Sequence, residues 1–534
     1  LSLDGQKKKY IASRKSAVGE VKIIECIPHN PAPEANGTIQ NVAYGSGPLI
    51  KRLDGHGNGG RVLELTTSSL NSIVANGYLD NPVYDYGKGP VNVKVVDPLN
   101  VVDGYFECIF GNYNPSITNS ADTAMWTINR YESEGGALLE TVTSERTIKI
   151  NNEQIIPQWG VSVQILQQNY YFPNGATGGP EEKTTDLLEA SLTFADSSKR
   201  WLFGIPDNDA FYPTNWVRSG DYAPEDPADC LPLGLDYFNP CNYPDEPGVD
   251  VDKNWSKILG GGIAPHRLVG FQSSYMPLAY YNYASPTVAR KASSLSFLPS
   301  VNIVMTPDKT KWTRCPVIEL GRESGLNAGG AEPGQMRKSL SVDKYGNPDG
   351  SGTTGMGWFP GYAVDVESGA RLYMAFGENS FLVTDNGADM VWNPSERIVD
   401  NGGNPVMGGM HPVYVFSFQH KTKNNYLQAY DYPAYVPSSA ESLAGNALYN
   451  DMLLVEANNN TAKRNVYGSI SWVAYPMLTP GQKLLSTEAT VKLRVNKEYK
   501  NFSNAGSPTG GPNNGRPMYS WDMSDIMTDL GSQD

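Results

Sequence analysis

The sequence is poor in charged residues and has no long apolar run. Asp, Glu, Lys and Arg make up 18% of the 534 residues, below the roughly 25% that is usual for soluble domains. Because no stretch of about 18 consecutive apolar residues occurs, the sequence predicts no transmembrane helix. The chain starts at Leu1 without a basic or apolar leader, so we interpret it as processed or as part of a longer precursor.

Basic residues are too few and too dispersed to favour nucleic-acid binding. The chain has 42 Lys and Arg against 56 Asp and Glu, which gives a net charge of −14 at pH 7. An acidic surface repels a phosphate backbone, and the run Lys7–Lys9 is short. We therefore expect no nucleic-acid partner. The acidic excess suits a protein outside the cell, and it also suits Ca²⁺ binding.

Signatures of catalysis are lacking as well. Five histidines occur in the whole chain, and neither HExxH nor G-x-S-x-G is present. Acidic clusters such as the one at 245–252 are typical of a solvated loop, and a glycosidase pair is defined by a distance that sequence does not give. The sequence leaves enzymatic activity undecided and favours a protein that is not an enzyme.

The five cysteines form no CxxC pair, which excludes zinc-ribbon and thioredoxin-like sites. Cys230 and Cys241 flank a Pro-rich loop. In an oxidising compartment a disulfide between them would stabilise the fold by roughly 2–3 kcal/mol through loop closure. The alternative is two separate buried thiols, and the sequence leaves both open.

Turn-forming residues are abundant and divide the chain into short segments. The 54 glycines and 38 prolines separate stretches of alternating or apolar character, which is the all-β pattern. Strands are predicted at 20–27, 61–66, 91–96, 105–110, 146–150, 159–166, 300–306, 316–320, 362–366, 371–376, 413–418, 466–475, 489–495 and 517–523. A short helix is predicted within 441–456. We expect a mainly β fold of multiple antiparallel β-sandwich-like units with long irregular loops and little helix.

Composition also predicts how the chain is organised. Residues 1–200 are predicted to form an N-terminal β-sandwich-like domain, and residues 201–299 a region of Pro-, Asp- and Tyr-rich loops. A second β domain is predicted over 300–480. Residues 481–534 are predicted to contain C-terminal strands and a Gly/Pro/Asn-rich loop.

Short loops of Asp, Asn and Gly make Ca²⁺ the cofactor that the sequence favours. Calcium takes six to eight oxygen ligands, which such loops supply from side chains and backbone. The leading candidates are Asp385, Asn386 and Asp389, followed by the loop at 207–209 and, more weakly, the loop at 347–350. The alternative is an ordinary turn, because Asn and Gly tolerate positive φ.

Aromatic loops offer a second kind of site. Tyr212, Trp216 and Tyr281 lie in loops rich in Asp and Asn. Aromatic faces suit apolar sugar rings, and neighbouring Asp and Asn suit hydroxyl groups, so these residues are candidates for glycan binding. The alternative is packing in the core or within the loops, where most aromatic side chains lie.

Four segments of the sequence resemble segments of a known protein family. They are SVNIVMTPDKTKWTRCPVIELG at 300–321, GMGWFPGYAVDVESGARLYMAFGENSFLVTDNGADMVWNP at 355–394, GGMHPVYVF at 408–416 and ATVKLRV at 489–495. Together they resemble large secreted proteins of Bacteroidota that the type IX secretion system exports to the cell surface. The resemblance covers about residues 85–525, and the phrase at 358–394 is its most specific part.

The resemblance implies export across the outer membrane, a cleaved signal peptide and a C-terminal β-sandwich sorting domain. This chain shows no such sorting domain after Asp525, which departs from the pattern. The alternatives are that the domain is cleaved during export, that it lies beyond residue 534, or that the assignment to this family is wrong. The triplet at 122–124, Asp-Thr-Ala, matches the short O-glycosylation pattern of that phylum. The resemblance implies no catalytic residues, so it bears on compartment and not on activity.

Together these features predict an extracellular or cell-surface protein with a structural or adhesive role. The expected partners are other copies of the chain or envelope proteins, bound through exposed β edges and Tyr/Asn-rich loops. The alternative function is that of a secreted protein that binds or degrades carbohydrate. A glycan partner belongs to that alternative.

Overall fold

The computed structural model describes about half of the chain, and that half is mainly β. The described residues are 45–54, 62–111, 125–146, 152–166, 188–203, 299–319, 335–378, 389–394, 411–418, 432–457, 469–474, 476–495 and 517–524, with residues 462, 466 and 526 and short strands at 2–3, 8–9, 212–213 and 217–219. The predicted fold class is confirmed: strands dominate and the α-helices are few and short.

The strands from the first part of the chain, together with one strand from its end, form two sheets and a ribbon. The ribbon pairs β1 (Ser2–Leu3) with β2 (Lys8–Lys9). Sheet A has the order β4-β3-β23-β6-β7-β8, where the strands are β3 (Ile50–Arg52), β4 (Val83–Tyr84), β6 (Tyr105–Gly111), β7 (Met125–Tyr131), β8 (Leu138–Thr143) and β23 (Tyr519–Asp522). Sheet B has the order β5-β10-β9, from β5 (Val91–Val95), β9 (Gln154–Ile156) and β10 (Val161–Ile165).

The middle and later parts of the chain form two six-stranded sheets. Sheet C has the order β12-β11-β22-β14-β17-β18, from β11 (Leu188–Phe194), β12 (Tyr212–Pro213), β14 (Val301–Met305), β17 (Gly361–Asp365), β18 (Ala370–Leu372) and β22 (Ala489–Val495). Sheet D has the order β13-β21-β20-β19-β15-β16, from β13 (Val217–Ser219), β15 (Thr313–Glu319), β16 (Met356–Phe359), β19 (Met374–Glu378), β20 (Val413–Phe416) and β21 (Ile470–Ala474). Pairing is antiparallel except between β15 and β19, which are parallel.

The helical elements are few within the described ranges. The α-helices are α1 (Thr67–Asn76), α2 (Pro437–Ala440) and α3 (Ala447–Glu456). Single 3₁₀ turns span Pro98–Asn100, Pro157–Trp159 and Lys309–Lys311. No helix among these residues combines the length and apolar character needed to cross a membrane.

Sheets A and B form a first sandwich around an aromatic core. Phe106 and Trp521 of sheet A stack with ring centroids 5.6 Å apart, and Phe106 meets Trp159 edge to face at 5.2 Å. Sheet B contributes the apolar positions of the alternating strand β5, Val91, Val93 and Val95, which are buried while Asn92 and Lys94 are half-buried. This period of two is what a strand with one buried face requires.

Sheets C and D form a second, larger sandwich. Its core joins Val301, Ile303 and Leu493 of sheet C to Phe376 and Trp472 of sheet D in one apolar cluster. Every residue of β17, β19 and β20 is buried. Helices cover two strands of this sandwich, α1 lying against β17 and α3 against β15.

The two sandwiches meet through a third apolar cluster. Tyr84 of β4 and Ile73 of α1 pack with Tyr362 and Val364 of β17. The Tyr84 hydroxyl donates to the carbonyl of Val366 at 3.0 Å and accepts from Arg52 Nε at 3.1 Å. The outer face of sheet C is therefore closed by elements from the first part of the chain.

Most of the predicted strands that fall on described residues are confirmed, including β5, β6, β10, β14, β17, β20, β21, β22 and β23. The strand predicted at 61–66 is wrong, because only Leu65 makes an isolated bridge, to Tyr84. The helix within 441–456 is confirmed as α3, and α1 was not predicted. The predicted strand at 20–27 lies outside the described residues.

Two sheets combine strands from distant parts of the chain. β23 lies between β3 and β6 in sheet A, and β22 lies between β11 and β14 in sheet C. Pairing thus links strands on either side of positions 200 and 480. The division of the chain into domains stays a prediction.

Candidate functional site

Most of the predicted site residues lie outside the described part of the chain. These are Trp216, Tyr281, Asp385, Asn386, Cys230 and Cys241. Tyr212 lies in β12, where only the backbone is described. The predicted glycan, calcium and disulfide sites therefore stay predictions. Two other cysteines, Cys108 and Cys315, are free and buried, and burial raises the pKa of both thiols.

Asp389 is the one predicted calcium ligand whose side chain is described, and its carboxylate closes a local turn. One carboxylate oxygen accepts the Val391 N–H at 2.9 Å, and the other accepts from Asn393 Nδ2 at 3.0 Å. In the weaker candidate loop, Asp349 likewise accepts the Ser351 N–H at 2.8 Å. Within the described ranges no group of three or more His, Cys, Asp or Glu is placed to hold a metal ion.

Two buried glutamates lie directly opposite each other in sheet D. Glu319 ends β15 and Glu378 ends β19, and the parallel register pairs them. Both side chains are fully buried. Like charges directly opposite each other in a sheet repel, so this pair requires a counter-charge or a bound proton.

Arg337 supplies the counter-charge. Its guanidinium forms an ion pair with Glu378 and lies 3.5 Å from Glu319 through Nε. The backbone holds it in place, because the Arg337 N–H donates to the Val317 carbonyl at 2.9 Å. A third contact runs from Arg337 Nη2 to the Ser339 hydroxyl at 3.0 Å. We call Glu319, Arg337 and Glu378 the acid–arginine cluster.

The acid–arginine cluster can bind a proton at neutral pH. The pKa of Glu378 is raised to about 8, chiefly by burial and also by the nearby Asp389 carboxylate, while the Arg337 guanidinium opposes the rise. The Glu378 carboxylate also accepts the backbone N–H groups of Asp389 and Met390 at 2.9 and 3.1 Å. Continuing the antiparallel register of β19 and β20 places the buried His411 opposite Glu378.

Sequence reasoning missed this cluster because its three residues lie in separate segments that span 59 positions of the chain. The signal that could have found it is a single acidic residue at the end of an apolar run, in PVIE at Glu319 and in MAFGE at Glu378. A charged side chain at the end of a strand buried on both faces needs a partner. All three side chains of the cluster are fully buried, and Arg337 links Glu319 of β15 to Glu378 of β19 within sheet D.

A second feature is a surface on which lysines lie against aromatic rings. Lys309 Nζ lies 3.7 Å from the ring centroid of Tyr345 and 5.2 Å from that of Trp312. Lys344 Nζ lies 4.3 Å from the ring of Trp358. Tyr345 is 77% exposed, and its turn is fixed by Asp343, which accepts the Tyr345 N–H at 2.8 Å. We call this the Tyr345 surface.

A third feature is the edge of the first sandwich. β8 is the last strand of sheet A, and β9 is the last strand of sheet B. Leu138 and Leu139 of β8 are 55% and 49% exposed, and Ile155 of β9 is 60% exposed. The two strands approach each other just beyond the end of β8, where Gln154 Oε1 accepts the Glu145 N–H at 2.8 Å. We call these residues the β8 edge.

Comparison with protein-family models, with curated proteins and with solved structures gives no match to this chain.

Proposed function

We propose that the chain is part of an exported structural or adhesive surface protein, which binds other copies of itself or envelope proteins through exposed β edges. The β8 edge carries this proposal. An edge strand with exposed apolar side chains is a template for pairing with another strand. Natural proteins block such edges with charged residues, Pro or a covering element. β8 (Leu138–Thr143) contains neither Lys nor Pro, and its one charged residue, Glu140, forms an ion pair with Arg130 of β7.

Sedimentation velocity of the purified chain over a range of concentrations tests the proposal. We expect the weight-average mass to rise with concentration, because edge pairing obeys mass action. Detection of the protein on the surface of the producing cells is the matching observation in vivo. A strictly monomeric protein that occurs only in culture fluid would overturn the proposal.

The second candidate is a secreted carbohydrate-binding protein, and the Tyr345 surface is the observation that favours it. The exposed ring of Tyr345 has a lysine against it and the ring of Trp312 beyond that lysine. A rigid, exposed aromatic face suits the apolar face of a sugar ring, as apolar ligand sites with a few polar groups do. The Asp and Asn side chains of the turn would bind hydroxyl groups.

A glycan array with the purified chain and two variants tests the second candidate. Tyr345→Ala removes the ring, whereas Tyr345→Phe keeps it and serves as the control. We expect Tyr345→Ala to lose binding and Tyr345→Phe to retain it. A blank array, or equal binding by both variants, would contradict glycan binding at this surface.

A further inference from the structure

The backbone of β8 has one side that no strand of the described chain occupies. In an antiparallel pair, alternate residues exchange both of their hydrogen bonds with the neighbouring strand, and the residues between them point away. Ser144 donates to the Trp126 carbonyl at 2.8 Å, which sets this alternation for the β7–β8 pair. The N–H groups of Thr141 and Thr143 therefore point away from β7, and the register shifts only at the Leu138 end of the strand.

A neighbouring contact supports this assignment. Glu145 is the next residue in the outward series, and its N–H donates to Gln154 Oε1 at 2.8 Å rather than to β7. The outward N–H groups of the series thus reach beyond sheet A. The Glu145 N–H is thus bound by the Gln154 side chain of β9, whereas no described strand pairs with the outward side of β8 itself.

We propose that the outward side of β8 pairs with β8 of a second copy of this chain, antiparallel and across a two-fold axis. This inference rests on the proposed function and names the partner and the strand. A two-fold interface needs a self-complementary surface. β8 provides one, because its apolar end and its threonine end become neighbours when a copy runs in the opposite direction.

Glu140, whose carboxylate forms an ion pair with Arg130 of β7 at 3.4 Å and accepts the Trp159 indole N–H, restricts the register. With Thr141 opposite Thr141 of the second copy, Leu139 faces Thr143 and Glu140 faces Val142. A shift that pairs Leu139 with Thr141 would place the two Glu140 side chains opposite each other, which is repulsive. The opposite shift would pair Leu139 with Glu145, whose N–H already binds Gln154. The register centred on Thr141 avoids both conflicts.

Cysteine cross-linking tests the register. Residues opposite each other in such a pair have Cα atoms about 5.5 Å apart, which lies within the range of a disulfide. We expect Thr141→Cys under mild oxidation to give a covalent dimer roughly tenfold more abundant than the parent chain gives. Asn71→Cys, on the exposed side of α1, is the control. Equal yields from Thr141→Cys, Asn71→Cys and the parent would overturn the register.

A proline at the same position tests the hydrogen bonds. Thr141→Pro removes an N–H that the β7–β8 ladder does not use, so the fold is retained while the outward side is blocked. Thr141→Val keeps the N–H and, like the proline, loses the Thr141 hydroxyl bond to Asn129. We expect Thr141→Pro to raise the dimer dissociation constant by about tenfold or more and Thr141→Val to leave it near the parent value.

The outcomes separate this inference from the proposed function. If the parent chain associates and Thr141→Pro associates equally well, pairing at β8 is refuted and the structural role stands. If the parent chain is monomeric at all concentrations, self-association fails altogether. Retained far-ultraviolet circular dichroism of Thr141→Pro verifies that the variant is folded.

Discussion

Single buried arginines join parts of this protein that are far apart in sequence. Arg371 donates from Nη1 to the Val74 carbonyl at 2.8 Å and from Nη2 to the Lys311 carbonyl at 2.7 Å. Val74 lies in the last turn of α1, where the helix dipole favours a cation. Arg494 donates in the same way to the Leu63 carbonyl at 2.7 Å. Each guanidinium thus donates its hydrogen bonds to carbonyl oxygens of another segment instead of to water.

Glu378 makes the stability of the protein depend on pH. Burial raises its pKa from 4.5 to about 8, so the folded state binds a proton that the unfolded chain releases at lower pH. The contribution of this bound proton to stability is complete below the pKa of Glu378 in the unfolded chain. It is lost as the pH rises through the pKa of Glu378 in the folded protein. We expect Glu378→Gln, which stays neutral, to lose less stability than the parent between pH 5 and pH 9.

Urea denaturation at several pH values measures this difference. Glu145→Gln, at an exposed position, is the control and should follow the parent. If Glu378→Gln shows the same pH dependence as the parent, Glu378 is ionised in the folded protein, and the assignment of the proton to the acid–arginine cluster is wrong.

Among the secondary-structure elements, those with a clear period were predictable and those set by tertiary contacts were not. β22 (Ala489–Val495) alternates and was predicted with its observed bounds. The segment at 61–66 alternates equally well, yet it makes only the Leu65 bridge. α1 was missed because its sequence, TSSLNSIVAN, is largely polar. Its signals were an N-cap at Thr66 and a left-handed Gly77 at the C-terminus.

The site features were beyond the sequence for a similar reason. The pairing of Glu319 with Glu378 depends on a parallel register between β15 and β19, and no local pattern encodes such a register. The exposed end of β8 depends on its place at the edge of sheet A. LLETVT has the composition of a strand, but its place in a sheet is set by tertiary pairing.

Gly361, at the start of β17, is required by a close approach between strands. A Cβ at this position would lie 1.8 Å from the Val304 carbonyl oxygen. We expect Gly361→Ala to lower the free energy of unfolding by about 3 kcal/mol or more, because the clash is with backbone that cannot move aside. Gly352 has a positive φ of 69° and no atom within 4 Å of an added Cβ.

Gly352→Ala is therefore the matched control, with an expected cost of about 1 kcal/mol from the left-handed backbone alone. Thermal denaturation of both variants measures the two costs. Equal destabilisation would show that the contact between β17 and β14 is looser than described.

At the scale of the whole molecule, the two sandwiches are closed by strands from the last tenth of the chain. β23 inserts between β3 and β6, and Trp521 stacks on Phe106 in the first core. Without β23, sheet A would be divided and its aromatic core exposed. We expect a chain that ends at residue 515 to lose the first sandwich, and limited proteolysis should then cut within 91–146 at a much higher rate.

The substitution Trp521→Ala is the milder version of that test. It removes the stacked ring and leaves the β23 backbone in place, with an expected cost of about 3–5 kcal/mol. If the truncated chain resists proteolysis as well as the full chain, β23 does not close the first sandwich.

Hydrogen exchange followed by mass spectrometry, on the intact chain at low and high protein concentration, tests the association through β8 most directly. We expect peptides covering 138–143 to exchange more slowly at high concentration, while peptides from β22 are equally protected at both concentrations. Association without any change in the exchange of 138–143 would contradict it.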